Sequence, residues 1–233
     1  MKTASFLFLV ALFFQIGAKA DTLFYGGDFD PNNPNANALA NENDAFVHGD
    51  PYGAATYQNF VVSNGQLWNV TGLFSDDFME TLNPQTAYWE IRSGVSEGNN
   101  GTLLASGTGN DNLTLINYYF DFPDYKNLVS GLNVNLGPGT YWFAVVPQAP
   151  NQQGRSFNTN TFGLHAIGTQ ISDKQFFNSP FFGINFENAD NDGVFPTLSS
   201  GLDGTVVPEP SSIIILSSGL IAAVAAVRRR LRL

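Results

Sequence analysis

Short runs of alternating side chains, each closed by turn-forming residues, constrain this chain more than any other feature. Ala87-Tyr88-Trp89-Glu90-Ile91-Arg92 puts Ala87, Trp89 and Ile91 on one face of an extended segment and Tyr88, Glu90 and Arg92 on the other. Leu132-Asn133-Val134-Asn135-Leu136 repeats the pattern. Gly137-Pro138-Gly139 then leads into Thr140-Tyr141-Trp142-Phe143-Ala144-Val145-Val146, which reads as a hairpin. The same composition predicts strands over residues 56–62, 67–74, 102–106, 113–122, 161–167 and 181–186. Between them fall Ser63-Asn64-Gly65, Asn83-Pro84, Gly98-Asn99-Asn100-Gly101, residues 107–111 and Pro123-Asp124, all rich in turn formers. Many short strands with such punctuation predict an all-β fold, a jelly-roll-like antiparallel β-sandwich, as one domain over residues 21–206.

Composition then removes whole classes of function. There is no cysteine, so disulfides, thiolate nucleophiles and cysteine metal sites are absent. His48 and His165 are the two histidines, far apart in sequence, which leaves little from which to build a triad or a multi-histidine metal site. Residues 21–206 hold nineteen acidic and four basic residues, Arg92, Lys126, Arg155 and Lys174, a net charge of −15 against −10 for the whole chain. No nucleic acid partner is expected, because neutralising phosphates needs clustered Lys and Arg. With 21 Phe, 8 Tyr and 3 Trp the chain can fill a core without cross-links.

Both ends read as addresses. Residues 1–20 carry Lys2, an apolar run from Ala4 to Phe14 and the small-x-small site Ala18-Lys19-Ala20, the layout of a signal peptide whose removal leaves Asp21 first. Residues 211–227 contain no charge and are long enough, at about 1.5 Å per residue, for a single C-terminal transmembrane helix. Arg228, Arg229 and Arg230 follow and would hold that end in the cytoplasm, leaving the body outside the inner membrane. Val207-Pro208-Glu209-Pro210 stands just before the helix, and its two prolines force an extended peptide suited to a processing enzyme. Taken together, residues 207–233 resemble the PEP-CTERM sorting signal of Gram-negative bacteria that make exopolysaccharide. The resemblance implies processing by the membrane transpeptidase exosortase, with Pro208, Glu209 and Pro210 recognised and the three arginines acting as the stop-transfer cluster. A second resemblance, to a passenger domain found with such tails, rests on Tyr57-Gln58-Asn59-Phe60, Trp89-Glu90-Ile91-Arg92-Ser93-Gly94, residues 101–107 and Gly139-Thr140-Tyr141-Trp142. It supports the sandwich and implies no activity.

Two acidic loops are candidate calcium sites. Asn188-Ala189-Asp190-Asn191-Asp192-Gly193 places oxygen ligands Asn188, Asp190 and Asp192 at alternating positions before a glycine, as the first half of a calcium loop does. Ser199 stands where the closing bidentate Glu belongs, so a solvated turn competes with that reading. Asp28 and Asp30 open a second cluster that continues through Asn32, Asn33 and Asp44, and a polar loop satisfying its own backbone is the alternative. Asp76, Asp77, Glu80, Glu90 and Glu97 could supply paired carboxylates, but Asp76-Asp77 reads as an ordinary polar loop after Phe74-Ser75, and no enzyme is expected. His165 is expected on a strand. The sequence therefore points to a non-catalytic exported protein at the cell surface or in the extracellular polysaccharide matrix, with a structural or adhesive role. The alternative is a lectin-like, calcium-assisted module using Tyr88, Trp89, Tyr118, Tyr119, Tyr141 and Trp142, although alternation turns one ring of each pair inward.

Overall fold

The computed structural model describes residues 20–171 and 174–207, and these form two antiparallel sheets. Eight strands build the first: β1 (Asp21–Tyr25), β2 (Ala38–Ala40), β4 (Leu67–Met79), β7 (Thr114–Tyr119), β8 (Phe122–Leu136), β10 (Ser156–Thr161), β13 (Thr197–Leu198) and β14 (Ser200–Val207). Six build the second: β3 (Ala55–Val62), β5 (Thr86–Ser93), β6 (Thr102–Asn110), β9 (Gly139–Gln148), β11 (Phe176–Ser179) and β12 (Ile184–Asn188). In the first, β4 is central: β8 runs along one side of it, while β14 and then β10 occupy the other. The second follows the order β12-β11-β3-β9-β5-β6. One 3-10 turn, Ala189–Asn191, interrupts this pattern. Residues 1–19 of the signal peptide expected over 1–20, the helix expected over 211–227 and the arginine cluster lie outside the described residues.

The two sheets share a core. Phe60, Ile91 and Phe143 of the second sheet meet Leu73, Val129 and Leu202 of the first, with Phe24 of β1 among them. Phe60 stacks on Trp68, ring centroids 5.9 Å apart. Alternation in β5 is as expected, with Ala87 and Ile91 in this core and Tyr88 on the reverse face. That reverse face is also covered: Tyr52, Phe186 and Phe176 pack against Tyr57, Tyr88 and Trp142. A sheet buried on both faces hides its polar alternates too, so Glu90 is only 1% exposed.

Several local expectations are corrected. Gly137-Pro138-Gly139 does not close a hairpin, because β8 pairs with β4 and β7 whereas β9 pairs with β3 and β5; the turn carries the chain from one sheet to the other. Residues 113–122 are not one strand but a hairpin, turning at Phe120 and Asp121 with φ of 52° and 67°. Asp76-Asp77 is not a loop, since β4 runs on through both to Met79, and Pro123-Asp124 lies inside β8. Residues 162–167 form no continuous strand, touching the β1 side of the sheet only through bridges at Leu164 and Ile167, and His165 sits in a left-handed turn at φ 58° rather than on a strand. Residues 180–183 form the turn between β11 and β12 instead of belonging to a single strand.

Candidate functional site

Three strongly buried carboxylates, Asp77, Glu90 and Glu42, are nodes in the strand framework. Asp77 lies fully buried on β4, where Asn127 Nδ2 (2.9 Å), Ser75 Oγ (3.0 Å) and Asn41 Nδ2 (3.1 Å) all donate to its Oδ2. Asn41 Nδ2 also reaches the Val145 carbonyl of β9 at 2.8 Å, so this cluster ties a loop and both sheets together. Burial pushes the Asp77 carboxyl well above its ordinary range, although Ser75 and Asn41 pull it back. Glu90 forms a second node: the hydroxyls of Tyr57 and Tyr88 donate to it, and Arg92 pairs with it at 2.6 Å. Tyr52 extends that network through Tyr57 (2.6 Å) and receives a bond from Asn178 Nδ2 (2.9 Å). Glu42 is the third, with Arg155 Nε 2.8 Å from its Oε1 and the Ser156 N–H 2.9 Å from its Oε2. Burial pushes Glu42 up to about 7 in spite of them.

The outer face of the first sheet carries a separate acidic group. Asp76 and Asp124 stand on neighbouring strands, where Asp76 opposes Lys126 and Phe78 opposes Asp124. Tyr25 bridges Asp76 Oδ2 (2.8 Å) and Asp28 Oδ1 (2.9 Å), and His165 Nδ1 lies 2.7 Å from Asp28 Oδ2. Asp76 Oδ1 and Asp124 Oδ1 are buried without a protein hydrogen-bond partner. Burial pushes Asp76 up to about 6, with Tyr25, Lys126 and Ser199 opposing. Asp124 rises to about 7 through burial and then through repulsion by Asp76 and Asp28. The Lys126 ammonium leans over the Phe74 ring, 3.3 Å from its centroid.

The two expected calcium loops are brought side by side. Asn160 Nδ2 joins them by donating to both the Asn35 carbonyl (2.9 Å) and the Val194 carbonyl (2.7 Å). Within each, side-chain oxygens already accept backbone N–H groups: Asp30 Oδ1 from Asn32 (2.9 Å), Asn188 Oδ1 from Asp190 (3.1 Å) and Asp190 Oδ1 from Phe195 (2.7 Å). Asp192 sits at the end of the 3-10 turn, its carboxyl raised by burial and by Glu187. Among the described residues no group of three or more His, Asp or Glu side chains is arranged to hold a metal ion. Asp28 belongs instead to the Tyr25–His165 cluster, which the sequence did not foreshadow because its members are far apart in the chain.

Of the six rings named as a sugar platform, Tyr118 alone is exposed, at 62%. Tyr88 and Trp142 are buried, and Trp89, Tyr119 and Tyr141 are partly covered. Phe120 and Phe122, which the sequence reading did not single out, share the exposed tip with Tyr118.

The sorting tail joins the body at β14. That strand is held between β1 and β4, and its last residues pair Val206 with Trp68 and Val207 with Leu67. Asp21 pairs with Gly204 on the other side, so the expected mature N-terminus and the departing C-terminal tail lie close together on adjacent strands. Pro208, Glu209, Pro210, Arg228, Arg229 and Arg230 lie outside the described residues; among the described residues no helix is long and apolar enough to cross a membrane. Compared with known families, residues 206–230 match the PEP-CTERM protein-sorting motif. No curated protein and no solved structure matches the chain. The chain thus carries the sorting motif of an exosortase substrate, and the motif begins inside a hydrogen-bonded strand rather than after a linker.

Proposed function

We propose that this is a non-catalytic exported protein which exosortase processes at Pro208-Glu209-Pro210 and delivers to the cell surface or the extracellular polysaccharide matrix, where its jelly-roll-like sandwich serves a structural or adhesive role. The observation that carries this reading is the sorting motif over residues 206–230, hung directly on the final strand of the body. The buried carboxylates fit a structural role, because Asp77, Glu90 and Glu42 each hold strands or loops together through several hydrogen bonds. Replacing Pro208, Glu209 and Pro210 with alanine is expected to leave a precursor of unprocessed mass in the inner membrane. Intact-mass measurement of the membrane and extracellular fractions reads this directly, and normal processing of the variant would refute the assignment.

The lectin-like alternative keeps one argument, the exposed rings at the β7–β8 tip. Loss of matrix retention by Tyr118→Ala, with folding intact, would favour it. Calcium at Asp28, Asp30, Asn188, Asp190 and Asp192 is tested by melting with and without a chelator. The two loops already close on their own hydrogen bonds, so the midpoint is expected to stay unchanged; a fall that added calcium reverses would assign an ion there.

A further inference from the structure

We propose that Thr205, Val206 and Val207 form a detachable strand end, which must unpair from β4 before exosortase can take up Pro208-Glu209-Pro210. β14 is held unevenly along its length. Residues 201–204 pair on both sides, with β1 and with β4. β1 begins at Asp21, opposite Gly204, so among the described residues Thr205, Val206 and Val207 are paired on one side only, with Asn69, Trp68 and Leu67 of β4. Burial changes at the same point: Leu202 and Gly204 are buried, whereas Val206 is 48% exposed and Thr205 and Val207 are half-buried. A strand end with half a ladder and little buried surface is the part of a sheet that opens most readily. The joint between the two parts is marked as well. The register against β4 shifts between Asp203 and Gly204, and a Cβ at Gly204 would stand 2.3 Å from the Asn69 carbonyl oxygen, so this close approach requires glycine, the residue that also turns most freely when the end swings out.

The processing enzyme needs what the sheet holds. A peptide taken into an enzyme cleft is commonly extended and pairs its own backbone with the cleft, as an added strand does. The backbone groups that residues 205–207 turn toward β4 are engaged in that ladder, and the sorting motif starts at residue 206, inside the paired segment. Reach sets a second limit. Three residues, 208–210, separate the end of β14 from the apolar segment expected in the membrane. Extended, they span roughly 10 Å, about the spacing between the two layers of a sandwich, so a fully paired body crowds any cleft at the membrane surface. Unpairing residues 205–207 lengthens the tether to six residues, or roughly 20 Å. Pro208 has no N–H to extend the ladder, so the opening runs inward from Val207. Residues 59–75 and 204–207 carry no charge, which leaves backbone pairing and apolar contact as what holds the end in place.

This inference rests on the proposed processing at Pro208-Glu209-Pro210, and the two fail differently. Because the chain has no cysteine, a disulfide can fasten the strand end without competing thiols. Leu67→Cys with Val207→Cys puts thiols on directly opposed residues, and Asn69→Cys with Thr205→Cys does so further in. In full-length chains exported by the producing cells, each disulfide is expected to slow the conversion of precursor to processed mass by about tenfold or more in a pulse-chase, since cleavage follows the population of the open form. Dithiothreitol restores the wild-type rate, and the single-cysteine chains process as wild type does, so misfolding does not account for the delay. Gly-Ser-Gly-Ser inserted between Val207 and Pro208 supplies the reach without unpairing, and the fastened chain carrying it is expected to process at the wild-type rate. A fastened chain that is processed as fast as wild type overturns the proposal and leaves the sorting assignment standing. A fastened chain that the insertion does not rescue overturns it as well. A wild-type chain that is never processed overturns both.

Discussion

Acidification from about pH 8 to about pH 5 is expected to raise the melting midpoint of this protein by about 10–20 °C, the reverse of ordinary acid denaturation. Asp76 is pushed up to about 6 and Asp111 and Asp124 to about 7, burial being the largest cause in each case. A group whose folded pKa lies above its unfolded value binds more protons in the folded state. Its stabilisation is complete below the unfolded pKa, near 4, and is lost as pH rises through the folded pKa, here about 6 to 7. The three together amount to roughly 5 kcal/mol between those two pH values, and each kcal/mol moves the midpoint of a chain this size by about 2–4 °C. Asp124→Asn isolates one share. Asp124 Oδ1 is buried without a protein partner and two other carboxylates repel it, so the amide should raise the midpoint at high pH and flatten the slope. A midpoint that falls on acidification, or an Asp124→Asn variant with an unchanged slope, contradicts this account.

These carboxylates also show what the sequence could and could not convey. Strands β5 and β9 were legible because alternation is local, and two faces that both become buried still alternate. Asp76-Asp77 looked like a loop because a lone carboxylate rarely enters a core. Its acceptance depends on donors 36 and 50 residues away, Asn41 and Asn127, which no window of sequence reveals. Pro123-Asp124 failed for a related reason: proline withdraws only one donor, and its partner Tyr118 belongs to an edge strand with little ladder to lose. Phe120-Asp121 lacks the glycine or asparagine that marks a two-residue turn, so the β7–β8 hairpin was hidden inside one apolar run. Gly137-Pro138-Gly139 did signal a turn, but turn chemistry does not say which sheet receives the next strand. The sorting motif matched over residues 206–230 was legible because its parts are contiguous and are read by composition and order rather than by tertiary contact.

Asp77→Ala is expected to destabilise the folded body by about 3–5 kcal/mol, a large part of the roughly 5–15 kcal/mol that holds a domain together. The loss is not of one contact. Asn127 Nδ2 and Ser75 Oγ have their best acceptor in Asp77 Oδ2, and Asn41 Nδ2 shares its bond between Asp77 and the Val145 carbonyl. Removing the carboxyl leaves buried donors short of acceptors, at about 1–3 kcal/mol each, with a small cavity beside Leu73 and Met79 on the same strand. Ser75 retains a longer contact of 3.3 Å to Val145, which limits its share. Asp77→Asn keeps the shape and one acceptor but turns an amide N–H₂ toward donors, so it should lie between Ala and wild type. The order is therefore wild type above Asn above Ala in denaturant midpoint, with unchanged dependence on denaturant concentration. Because burial already disfavours the charge at this position, Asp77→Asn should also lose least relative to wild type at high pH, where the wild-type carboxyl is most costly. A variant series in which Ala equals wild type would show that β4 is held by its ladder alone and that the polar node contributes nothing.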